Sequence, residues 1–184
     1  MIKKIYSSCL MMLSLFVVLT TFTSCDDDNG VPVPFAIPLS VETTVPFASV
    51  TTTGYLTYPE IPLDLDVDAK IKEKYSSLSI DNLTSAKLES LEIVLKSSTL
   101  NGKLDAIKNA RLYIKTPELE KKLVATVMNN TSTDKIVFAT EDAELIEYLR
   151  SKKNSLIMEI QGQKLLADEF TLMINPSFKI NVGL

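Results

Sequence analysis

The chain has 184 residues, with 19 basic and 23 acidic side chains for a net charge of −4, and it contains no histidine and no tryptophan. That balance disfavours nucleic acid, which selects a basic patch, and anionic lipid surfaces. Without histidine, and with Cys9 and Cys25 as its two cysteines, the chain cannot assemble the usual zinc sites or the Ser–His–Asp and Cys–His nucleophile arrangements. Its five scattered glycines make no Gly-rich phosphate loop.

Lys3 and Lys4 open the chain, Cys9 to Leu19 is apolar, and Thr20 to Ser24 is small or apolar. A charged start, an apolar core and a small-residue exit form a secretory signal peptide. The apolar part is about half of the roughly 20 residues that a membrane span needs. The exit Phe22-Thr23-Ser24-Cys25 resembles the lipobox of bacterial lipoproteins, with Phe22 where leucine is usual. The resemblance implies that residues 1–24 are removed and that Cys25 becomes the lipidated first residue, leaving no free thiol. Asp26-Asp27-Asp28 is similar to the acidic export signals behind the cysteine of some Gram-negative lipoproteins. That implies the outer membrane and its outer face, with the periplasmic face as the alternative; an aspartate directly after the cysteine also resembles the inner-membrane retention signal of other Gram-negative lipoproteins.

Residues 25–40 hold Gly30, Pro32, Pro34 and Pro38 and no helical period, which reads first as a flexible tether behind the lipidated cysteine. The alternation of Val31, Val33, Phe35, Ile37 and Leu39 offers an edge strand in the distal part as the second reading, since prolines are tolerated there. Residues 41–184 then make one domain. Val45 to Thr57 has strand composition with a breaker at Gly54. Ile61 to Asp68 alternates strictly, placing Leu63, Leu65 and Val67 on one face and three aspartates on the other. Ala69 to Ser77 predicts a short helix capped by Asp68.

Leu88 to Leu95 fits both periods and is assigned to a strand, because β-branched residues gather at its end and its neighbours are strands. After the Asn101-Gly102 turn, Ala110-Leu112-Ile114 and Leu123-Ala125-Val127 predict two half-buried strands. Asn129 to Ser132 is a turn and Lys135 to Ala139 a short strand. Glu141-Asp142-Ala143-Glu144 opens a helix with acids at its positive end and Arg150, Lys152 and Lys153 at the other. Leu156-Met158-Ile160 is a strand. Phe170-Leu172-Ile174 and Phe178-Ile180-Val182, separated by Asn175-Pro176, read as one long bent strand or a hairpin. The sum is an all-β protein, a single antiparallel β-sandwich with two short helices. It resembles the small lipobox-bearing β-sandwich lipoproteins of Gram-negative outer membranes.

Few residues carry chemistry. Asp64, Asp66 and Asp68 form the D-x-D-x-D opening of a calcium loop. The glycine and glutamate that an EF-hand needs at its sixth and twelfth positions are replaced by Ala69 and Tyr75, so a looser calcium site competes with a solvated strand face. Glu141, Asp142 and Glu144 offer paired carboxylates for glycosidic chemistry, against a simpler role on the helix dipole. Tyr55 and Tyr58 suit a sugar platform or a strand. The polar stretch from Asn129 to Asp134 suits an interaction tip. The expected function is therefore non-enzymatic and without a cofactor. It is an envelope lipoprotein, held in the membrane at Cys25, that presents its sandwich to an envelope protein. A glycan- or lipid-binding module is the alternative.

Overall fold

Two-residue alternation is the dominant signal after residue 32, and it becomes strands that bury one face and wet the other. The computed structural model describes residues 33–47, 54–63, 65–162 and 168–183. Within them two antiparallel sheets form a sandwich. The first is β1 (Val33–Pro38) and β2 (Val41–Phe47), both on β11 (Asp168–Val182), followed by β5 (Leu83–Ser98) and β8 (Lys135–Val137). The second is β3 (Leu56–Thr57) and β4 (Ile61–Leu63), both on β10 (Asn154–Gly162), followed by β6 (Ile107–Lys115), β7 (Lys122–Val127) and β9 (Ala139–Thr140). Two helices, α1 (Val67–Lys74) and α2 (Ile146–Arg150), lie in the connections. The leader, Cys25 and the residues up to Pro32 fall outside the described residues.

β11 is the spine of the first sheet. Phe170, Leu172, Ile174, Phe178, Ile180 and Val182 all point inward and are buried. They belong to one core with Leu112 and Ile114 of β6 and Leu156, Met158 and Ile160 of β10. Each such side chain contributes about 1.5–3 kcal/mol of hydrophobic stabilisation. The Asn175-Pro176 break predicted from sequence is no break, because one strand runs through it. β1 and β2 lie end to end along β11 in unbroken register, from Val33 opposite Val182 to Phe47 opposite Asp168. Their gap at Leu39-Ser40 faces Pro176. Leu39 N–H donates to Pro176 O at 2.9 Å, and proline has no N–H to return. Ser40 Oγ bridges the gap to Asn175 Oδ1 at 2.6 Å.

Val33–Pro38 is therefore a strand and not part of the tether; odd residues Phe35 and Ile37 are buried, and that burial outweighs the prolines. The Leu39 bond also fixes which backbone groups face out. Odd residues turn theirs to β11 and even residues to the open side. Pro34, Pro38 and Pro46 are all even, so they delete outward donors, and Glu42 sets a charge among them. Among the described residues the other outermost strands, β3, β4, β8 and β9, have two or three residues each. Short or proline-interrupted edges resist pairing with other chains.

Two helix boundaries differ from the sequence reading. α1 begins two residues early, because Asp66, and not Asp68, accepts the Ala69 N–H at 2.8 Å. α2 is a single short helix that starts at Ile146. The acids before it are not helical because β5 claims them: Leu145 N–H donates to Ala86 O at 2.7 Å, and Glu144 Oε1 accepts the Ala86 N–H at 2.6 Å. With Phe138 N–H on Leu91 O at 3.0 Å, residues 138–145 close the flank of β5 beyond β8.

Candidate functional site

Strand directions define two ends of the sandwich. Val33, Leu83 and Val182 share the near end. Ser98, Val127, Gly162 and Asp168 lie toward the far end, where β5 crosses to β6 and β7 to β8. The far-end loops are organised by two buried polar residues that the sequence reading did not single out.

Asp168, the first residue of β11, is buried and gathers the β5–β6 connection around its carboxylate. Ser98 Oγ donates at 2.6 Å, Thr99 Oγ1 at 2.7 Å, Leu100 N–H at 3.0 Å and Gly102 N–H at 2.8 Å. Burial alone would raise its pKa, but these donors outweigh it and hold the carboxyl well below the usual carboxylate range. Gly102 is needed for contact rather than for an unusual backbone. A Cβ there would meet Asp168 Oδ2 at 2.4 Å and the Phe170 ring at 2.7 Å. It is Asn101 that takes the left-handed conformation, with φ 60°, which asparagine tolerates.

Asn130 does the same for the β7–β8 connection. It is buried, and its Nδ2 donates to Leu104 O at 2.9 Å and Ile107 O at 3.1 Å, while its Oδ1 accepts the Ser132 N–H at 3.0 Å. Asn129 sits at φ 53° and donates its N–H to Asn109 Oδ1 at 2.8 Å. The two loops are joined by Leu104 N–H on Thr133 O at 2.8 Å and by Lys103 to Asp134 at 3.0 Å. On this fixed frame Leu100 is 71 % exposed and Met128 61 %. The predicted interaction tip, Asn129 to Asp134, is thus a preorganised loop tied to a second one.

The other sequence candidates have defined local roles. Asp66 caps α1, and Asp68 accepts Lys72 Nζ at 2.5 Å and the Ile80 N–H at 2.9 Å. These two donors keep the Asp68 carboxyl below its ordinary value. Asp64 lies outside the described residues, and among those described no three His, Cys, Asp or Glu side chains cluster as a metal site. Asp142 pairs with Lys87, which holds its pKa down, the opposite of what a glycosidic general acid needs. Glu144 braces Ser85 and Ala86 of β5. Tyr58 is in the core, and burial pushes its hydroxyl up to about 12. Tyr55 is partly exposed, with the Arg111 guanidinium 4.0 Å over its ring.

Sequence comparison adds nothing to this geometry: no protein-family model matches the chain, and no curated protein does. Among solved structures, a Desmodium yellow mottle tymovirus chain is similar at 9 % identity, over 84 % of this chain and 90 % of that one, with a TM-score of 0.29. A turnip yellow mosaic virus structure at 100 K matches at 14 % identity over 83 % and 96 % of the two chains, with a TM-score of 0.26. Scores this low carry no argument about what the chain does.

Proposed function

We propose that this chain is a lipid-anchored protein of the bacterial envelope, held at Cys25, that offers the far-end loops of its sandwich to a protein partner and performs no chemistry. The observation that carries the reading is the pair of exposed apolar side chains, Leu100 and Met128, on loops locked by Asp168 and Asn130. Exposed apolar groups on a preorganised frame lose little freedom when a partner covers them. The anchor rests on the leader and the lipobox-like Phe22-Thr23-Ser24-Cys25. β1 starts at Val33, at the near end of the sandwich, and Cys25 precedes it in the chain. The sandwich is then attached through its near end, and the Leu100 and Met128 loops belong to the opposite one.

Crosslinking in intact cells followed by affinity capture tests the reading. A partner retained by the unsubstituted chain, and lost with Leu100→Ser plus Met128→Ser at unchanged thermal stability, is the expected result. Retention of every captured protein by the double variant would sink it. Membrane fractionation of Cys25→Ala tests the anchor separately, with release into the soluble fraction expected. Protease shaving of intact cells, scored against a known surface protein, tests the outer face implied by Asp26 to Asp28.

A further inference from the structure

A cleft at the near end has a makeup that the loop tip lacks. It encloses about 630 Å³ between the end of β6 and the starts of β4 and β10, within the usual range of ligand cavities. Its walls are apolar at Pro62 and Pro117 and charged at Glu60, Lys115, Lys152 and Lys153. Glu60 is held from two sides, by Lys115 Nζ at 2.5 Å on one oxygen and Ser155 Oγ at 3.0 Å on the other, which fixes a carboxylate acceptor in the cleft wall. Lys115 is thereby engaged. Lys152 and Lys153 are exposed and make no ion pair within 4 Å among the described residues, although the charge of Lys152 also helps hold the Asp68 carboxyl down. Asn154, only 4 % exposed, lines the same cleft, and its Oδ1 has no hydrogen-bond partner among the described residues.

Each ligand class meets these groups differently. A bare anion such as phosphate satisfies the lysines but is repelled by Glu60. A neutral sugar satisfies Glu60 and gains nothing from the two lysines. A sugar that carries a carboxylate offers hydroxyl donors, an anion and an apolar C–H face together. We propose that this cleft binds an acidic sugar, a uronic-acid unit of a polysaccharide, with Lys152 and Lys153 on the carboxylate, Glu60 accepting ring hydroxyls and the two prolines against the C–H face. The proposal stands apart from the loop-tip reading and does not depend on acylation of Cys25.

Isothermal titration of the purified full-length protein at low salt tests it, with tetragalacturonate as the probe. Neutral galactose tetramer, inorganic phosphate and phosphatidylglycerol vesicles are the comparators. Saturable binding of tetragalacturonate alone is expected. Lys152→Gln with Lys153→Gln should weaken it by at least roughly tenfold, the size of one lost charge-assisted hydrogen bond, and Glu60→Ala should also weaken it. Both changes lie at the surface, and thermal unfolding close to that of the unsubstituted protein confirms that they report on the cleft. No binding of tetragalacturonate, equal binding by the variants, or comparable binding of phosphate, vesicles or the neutral tetramer would each overturn the proposal.

Discussion

Replacing Asn130 by alanine removes the side chain that links β7–β8 to the turn before β6. The two good bonds from its Nδ2, to Leu104 O and Ile107 O at 2.9 and 3.1 Å, disappear together with the 3.0 Å bond from Ser132 N–H. At about 1 kcal/mol net for each bond the loss is about 3 kcal/mol, and any carbonyl left buried without a donor adds to it. In a domain of this size each kcal/mol shifts the melting midpoint by roughly 2–4 °C, so a fall of about 6–12 °C is expected. Urea unfolding with an unchanged slope measures the free energy, and amide exchange at Leu104 and Ser132 locates it. A loss below about 1 kcal/mol, or exchange that stays slow at both amides, would refute the idea that Asn130 clamps the loop. Asn130→Asp is the companion variant, because it keeps an acceptor for Ser132 and loses both donors. It should be no more stable than Asn130→Ala.

Gly102→Ala should destabilise by about 1–3 kcal/mol through overpacking, since its Cβ falls on Asp168 and Phe170; a neutral result in denaturant titration would mean that the loop yields freely. The Asp168 carboxyl is held low in the folded state, so the unfolded chain takes up its proton first as pH falls. Its stabilisation is complete above about pH 4 and drains away below it. Asp168→Asn should therefore flatten the acid limb of the stability curve, and an acid limb as steep as before would contradict the assignment. Changing Pro34, Pro38 and Pro46 together to threonine restores three outward N–H groups on the open edge. Concentration-dependent association should then appear in sedimentation velocity; a variant that stays as monodisperse as the parent would show that Glu42 guards the edge without them.

Strand content was legible because alternation survives into burial. Leu112 and Ile114, or Phe170, Leu172 and Ile174, occupy the inner face as their spacing requires. Leu88 to Leu95 fitted two periods, and the strand assignment rather than the helix is the one that the structure shows. Three features were less legible, each for a physical reason. Val33–Pro38 carries prolines that read as tether, and only the pairing partner, far off in sequence, shows that they fall on the open side. The acids from Glu141 to Glu144 match a helix start, but long-range bonds to Ser85, Ala86 and Lys87 outrank the helix dipole. Asp168 and Asn130 have no local signature, because an aspartate at a strand start or an asparagine in a turn is ordinary until a second loop closes on it. The polarity of Asn129 to Asp134 marks a candidate tip, whereas its coupling to Lys103 and Leu104 depends on contacts that no spacing encodes.

The placement of β11 has a kinetic consequence. It lies between β1/β2 and β5 in the first sheet, and its pairings with β1 and β2 join residues farther apart in the chain than any other strand pairing among the described residues. Until residues 168–182 arrive, β1, β2 and the long β5 have no common strand partner, and β1 and β2 have no ladder at all. Pairings of such long sequence separation are slow to form, so the first sheet assembles as one late step around its central strand.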